Sequence, residues 1–228
     1  MQYVLLYIYE GCDPVNKLYY LELSSHSHGL EDYKGTKDLL PFIKLIDNFE
    51  ASYEAVSNDG SEFTFLTNKG APRYKLVRVD LTEPGLWRDI ISEDDKDVLE
   101  SAHAVNGNQI LVSYLSDVKY VLQIRDLKAG TLLHNLPIEI GSVTGISCRR
   151  TDSEVFIGFT GFLTPGIIYR CNLATEVPEM KIFREISVSG FDRTDFQVNQ
   201  VEYEYIKCFL IVFYLYLCMH ICLHVRIE

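Results

Sequence analysis

Apolar residues in this chain come in short runs separated by turn formers, and the runs repeat. VLLYI, FTFL, ILVSYL and VFIGF each precede a second kind of segment, KLYYLEL, KLVRVDL, VLQIRDL and IIYRCNL. These second segments close at Leu23, Leu81, Leu127 and Leu173, spaced 58, 46 and 46 residues apart. Each closing leucine follows an acidic or amide residue: Glu22, Asp80, Asp126 or Asn172. Five positions before it stands another aliphatic residue: Leu18, Leu76, Leu122 or Ile168. Runs of this length rich in Val, Ile, Leu, Tyr and Phe predict strands, and a fixed period predicts a repeat architecture.

The turn residues complete the unit. NDG at Asn58–Gly60, NGN at Asn106–Asn108 and TDS at Thr151–Ser153 stand between an earlier run and the FTFL-type run. Such residues reach positive φ or bond their own backbone, so each predicts a tight hairpin turn. A fourth apolar run follows every closing leucine: PFIKLI, WRDIIS, LLHNLPIEI and KIFREISV. Strand, turn, strand, loop, strand, turn, strand over roughly 40 to 50 residues describes a propeller blade better than a β-sandwich with accidental regularity. The first unit starts in its second strand, at Tyr3. The predicted fold is therefore all-β: about three and a half four-stranded antiparallel blades over residues 1–200, with an unrelated apolar tail, expected to be helical, over 201–228. Bare blade edges at Tyr3 and near Val188 should favour self-association.

Composition narrows the function. With 21 Lys+Arg against 32 Asp+Glu, the net charge of −11 repels phosphate backbones, so no nucleic-acid partner is expected. The six cysteines do not form a disulfide framework: Cys12, Cys148 and Cys171 are scattered, while Cys208, Cys218 and Cys222 crowd the end. MQYVLLYIYEGCDP has no basic leader or small-residue cleavage site, and a reducing, cytosolic location is expected.

The segments EGCDPVNKLYY, KLIDNFEASY, FTFLTNKGAPRYKLVRVDL, KDVLESAHAV, LQIRDLKAGTLLHNLP, GFLTPGIIYRCNL and FREISVSGFD resemble the β-propeller of the prolyl oligopeptidase (prolyl endopeptidase) family, especially its plant members. The similarity runs from Tyr3 to Gln200. It implies the later half of a seven-bladed propeller that caps an α/β-hydrolase domain in a cytosolic serine peptidase cleaving short peptides after proline. The family's catalytic domain carries a G-x-S-x-G nucleophile elbow. Here the nearest string is GSVTG at Gly141–Gly145, with valine in the nucleophile's place, and it reads as a turn into a strand. No catalytic residue is assigned, and the chain alone is expected not to hydrolyse peptides.

The resemblance marks one position. In the family the cysteine matching Cys12 lies on the propeller side of the cavity, near the substrate residues upstream of proline, which implies a pocket-lining role for Cys12. His26 and His28, in a serine-rich loop, read as solvated; His103 and His134 read as structural; the SEDDKD run at Ser92–Asp97 reads as a solvated loop between blades. No metal or other cofactor is expected. The tail holds Cys218, His220, Cys222 and His224 in alternation, but their apolar setting argues against zinc, whose structural sites usually draw ligands from separate turns. Cys208–Val225 is uncharged over eighteen residues, at the lower bound for a membrane span, so membrane association through the tail is a further expectation.

Overall fold

The computed structural model describes residues 3–25, 28–35, 40–190 and 195–200. Its fifteen strands form four antiparallel sheets. The first has three strands in the order β1 (Tyr3–Tyr9), β2 (Asn16–Glu22), β3 (Ile43–Ile46). The second runs β4 (Tyr53–Asp59), β5 (Glu62–Thr67), β6 (Lys75–Asp80), β7 (Trp87–Ile91). The third runs β8 (Val98–Val105), β9 (Gln109–Ser116), β10 (Lys119–Asp126), β11 (Leu132–Leu136), and the fourth β12 (Ser142–Ser147), β13 (Glu154–Gly161), β14 (Thr164–Asn172), β15 (Glu179–Glu185). Strand order follows sequence in each sheet, as a blade requires. The helical elements lying wholly within the described residues are two 3-10 turns at Leu23–Ser25 and Gly29–Tyr33.

Period-2 alternation gives each central strand two working faces. In β5, Phe63 and Phe65 point to the first sheet, where they meet Leu18 and Tyr20. Leu66 of the same strand points the other way, into a cluster with Leu99, Ile110, Val112 and Tyr114 of the third sheet. Leu111 of β9, with Leu122 and Ile124 of β10, in turn packs on Val155, Ile157, Phe159 and Ile167 of the fourth sheet. Three apolar interfaces thus join four sheets in chain order, and each sheet is held by its neighbours.

The repeated closing leucine has a structural cause. Leu81, Leu127 and Leu173 are buried just past their strands, and their N–H groups donate to the carbonyls of Ser61, Asn108 and Ser153, in the turn that opens the same blade. The preceding side chain caps the next turn. Asp80 Oδ1 accepts the Thr82 N–H, Asp126 Oδ1 accepts those of Lys128 and Ala129, and Asn172 Oδ1 accepts that of Ala174. Asp and Asn suit this because their short side chains reach backbone two or three residues on.

The predicted turns at Gly60 and at Asn106–Gly107 are present at positive φ. TDS differs: it belongs to a broad connection from Cys148 to Ser153 rather than a tight hairpin. GSVTG is a turn into β12, and SEDDKD is a loop between the second and third sheets. The tail at 201–228, with Cys218, His220, Cys222 and His224, lies outside the described residues, as does His26.

Asp117–Val118 is a two-residue hairpin with φ of 46° and 65°. A β-branched residue fits this left-handed region poorly, whereas glycine fits without penalty. Val118 is 89 % exposed, so removing its side chain gives up no burial. Val118→Gly is expected to stabilise the fold by about 1 kcal/mol, raising Tm by roughly 2–4 °C. An unchanged or lower Tm in a thermal melt followed by circular dichroism would contradict this.

Candidate functional site

Alternating strand direction divides the connections between two ends of the sheets. The β1–β2, β5–β6, β9–β10 and β13–β14 turns share one end with the links between sheets; the turns opening each blade share the other. Cys12 lies at the first end, in the turn between β1 and β2 that Gly11 enters at φ 67°. Its thiol is exposed.

That turn is clamped to the second sheet by two asparagines. Asn16 is fully buried; its N–H donates to the Ala51 carbonyl at 3.0 Å, and its Oδ1 accepts the Tyr53 N–H at 2.7 Å. Asn68 donates from Nδ2 to the Pro14 carbonyl at 3.2 Å and accepts the Ser52 N–H at 2.6 Å. Asn16 is buried and Asn68 half-buried; amides with both functions engaged fix backbone position, and at the buried Asn16 leaving either function unpaired costs a desolvation penalty. Lys69 and Glu50 pair beside them. Neither asparagine stands out in the sequence beyond being a polar residue at the edge of an apolar run.

A cleft of about 340 Å³ opens between the first and second sheets, lined by Ile46, Tyr53, Thr67, Lys69, Val77 and Trp87 among others. Lys75 and Asp89, also on its wall, pair with each other at 3.0 Å. A second cleft, about 490 Å³, lies against Tyr3, Leu5, Ala55, Asn58 and Phe63. Cys12 lines neither cleft.

At the opposite end, Arg150 joins three sheets. Its Nε donates to the Gly107 carbonyl at 2.9 Å, one terminal nitrogen to the Asn58 carbonyl at 2.8 Å, and the other to Asp59 at 2.8 to 3.0 Å. The guanidinium hydrogen-bonded to Asp59 holds that carboxyl below its ordinary value. Arg78 makes a similar link, donating to the Leu127 carbonyl at 2.7 Å.

The remaining candidates stay apart. His103 is in β8 and His134 in β11; burial pushes the His103 imidazole down against the opposing charge of Glu54. Cys171 is fully buried, and desolvation pushes its thiol up to about 11, which keeps it protonated and inert. His28 lies at an exposed turn. Among the described residues, no three His, Cys, Asp or Glu side chains group to hold a metal ion.

Comparison with known proteins gives the same architecture from three directions. The family description "Prolyl oligopeptidase, N-terminal beta-propeller domain" matches residues 1–184. The dual function macrocyclase-peptidase POPB of Amanita bisporigera is 32 % identical over 206 residues, covering 89 % of this chain and 27 % of that protein. The prolyl oligopeptidase ophP of Omphalotus olearius is 34 % identical over 161 residues, covering 70 % and 22 %. The apo structure of prolyl oligopeptidase B from Galerina marginata superposes with a TM-score of 0.76 at 29 % identity, covering 89 % of this chain and 28 % of that one. The chain spans about a quarter of the length of these relatives. Its four sheets, their order and the match over residues 1–184 make it a member of the prolyl oligopeptidase family, carrying part of that family's N-terminal β-propeller.

Proposed function

We propose that this chain acts as a propeller portion of a prolyl oligopeptidase: it screens short proline-containing peptides at its Cys12 end and leaves bond cleavage to a catalytic unit elsewhere. The supporting observation is that the family match over residues 1–184 falls on propeller strands and turns. Acyl transfer at a peptide bond needs a nucleophile, a base and oxyanion donors within hydrogen-bond reach of one another. In this reading Cys12, exposed on a turn that Asn16 and Asn68 hold rigid, faces the residues upstream of proline. Action in the cytosol and membrane attachment through residues 201–228 belong to the same reading as expectations; no helix among the described residues is long and apolar enough to cross a membrane.

Purified chain incubated with a chromogenic proline-containing peptide should release no product. Hydrolysis sensitive to a serine-directed inhibitor would overturn the assignment. A second reading, an interaction module working through its open sheets, is favoured by the exposed apolar residues Leu6 and Ile43 on the first sheet and Ile168, Phe183 and Ile186 on or just past the fourth.

A further inference from the structure

The cleft of about 340 Å³ between the first and second sheets holds two hydroxyl groups whose protons the protein leaves without an acceptor. Both walls come from residues 46–89, so its shape owes nothing to what lies beyond the outer faces of the first and fourth sheets. Tyr53 is 5 % exposed, and its hydroxyl has no hydrogen-bond partner among the described residues. Thr67, 1 % exposed, accepts the Lys69 N–H at 3.1 Å, but its own O–H donates to no group among the described residues. A buried donor without an acceptor is costly, and a ligand that brings an acceptor relieves that cost.

The rest of the lining narrows the ligand further. Lys69 pairs with Glu50, and Lys75 pairs with Asp89 at 3.0 Å, so both ammonium groups on the wall are already balanced and a neutral ligand fits. Ile46, Val77 and the rings of Tyr53 and Trp87 supply apolar surface, and the two rings meet edge-on at 5.6 Å. Trp87 Nε1 donates to the Pro84 carbonyl at 2.9 Å, which satisfies the indole N–H and fixes the ring. The volume lies at the low end of the roughly 300–1,000 Å³ of small-ligand sites, room for a few residues rather than a folded domain.

Proline matches donors set among aromatic walls. Its carbonyl accepts, its nitrogen carries no proton to leave unpaired, and its rigid ring packs on aromatic faces. We propose that this cleft seats a proline residue of an extended peptide, the pyrrolidine ring against Trp87 and Tyr53 and a backbone carbonyl accepting the Tyr53 hydroxyl proton. This rests on the reading of the chain as a screen for proline-containing peptides and gives that screen a contact apart from Cys12. The two places are joined: the Tyr53 N–H donates to Asn16 Oδ1, and Asn68, between Thr67 and Lys69 in the chain, donates to the Pro14 carbonyl.

Trp87, the single tryptophan, reports directly on the cleft. The full chain titrated with a hexaproline peptide blocked at both ends should show a saturable change in tryptophan emission, and a blocked hexapeptide of alternating alanine and serine should give none. Tyr53→Phe removes only the unpaired hydroxyl, so it should keep the parent Tm while weakening binding of the proline peptide about three- to tenfold. The alkylation rate of Cys12, followed by mass spectrometry in the same samples, reports separately on the Cys12 end. An emission change supports the cleft, and if Cys12 labelling then stays constant, Cys12 takes no part in the screen. Slowed Cys12 labelling at constant emission overturns the cleft and leaves the Cys12 reading standing; no response in either overturns both. Equal affinity for the two peptides, or for parent and Tyr53→Phe, also overturns the cleft. If Tyr53→Phe does not fold, a photo-crosslinking group at the centre of the proline peptide decides: linkage to Tyr53, Val77 or Trp87 is expected, and linkage to the Cys12 turn alone would refute the site.

Discussion

Phe65→Ala should lower stability by about 3–5 kcal/mol, the cost of emptying a large aromatic site that cannot collapse. The side chain is fully buried between the first and second sheets, its ring 5.7 Å from Phe63 and 5.8 Å from Trp87, centroid to centroid. Trp87 is the single tryptophan, so its emission reports on this interface and no other. Among the described sheets the first packs on the second alone, and detaching it leaves the other two interfaces intact. In urea, the Trp87 transition of the variant should therefore precede the loss of far-ultraviolet circular dichroism. Phe159→Ala, which empties the third interface instead, should weaken the fold without shifting Trp87 ahead of the bulk signal. Coincident transitions in both variants would show that the sheets unfold as one unit, and a loss below 1 kcal/mol would show that the site around Phe65 relaxes.

Much of this architecture is legible in the sequence because its causes are local. Strand alternation, the Asp–Leu or Asn–Leu pair ending the third strand of the last three sheets and the Asn–Gly turn at Asn106 each express a backbone requirement that a few neighbouring residues meet. The repeat also marks packing: Leu18, Leu76 and Leu122, each five before a closing leucine, lie on the face turned to the next sheet. Asp117–Val118 is not legible in the sequence for the opposite reason: its chemistry argues against the conformation it adopts, and only the strands on either side impose it. The site was less legible than the fold. Cys12 could be located through the resemblance, but the bonds by which Asn16 and Asn68 tie its turn to the second sheet span 35 to 54 positions of the chain, where periodicity gives no signal. Arg150 is the extreme case, reaching a carbonyl 92 residues earlier.

That long reach makes Arg150→Met the most informative polar substitution. The side chain satisfies two backbone carbonyls and one carboxylate on three sheets, and hydrogen bonds from a charged donor contribute about 1.5–3 kcal/mol each when dry. Arg150 is partly open to solvent and Asp59 is more so, and screening reduces the pair. A net loss of about 2 kcal/mol is expected at pH 7. Asp59 adds a pH signature. Its carboxyl is held below the ordinary value chiefly by the hydrogen bond from Arg150, so the folded state binds its proton less readily than the unfolded state. The contribution of the pair is complete above the unfolded carboxyl pKa of about 3.9 and fades as pH falls through the lower folded value. Urea titrations should thus show a smaller gap between parent and Arg150→Met at pH 3.5 than at pH 7. A residual gap should remain, because the Asn58 and Gly107 carbonyls do not titrate. Asp59→Asn should remove the pH-dependent part alone. If the gap is equal at both pH values, the carboxylate contributes nothing, and the three sheets are tied at this end through backbone carbonyls only.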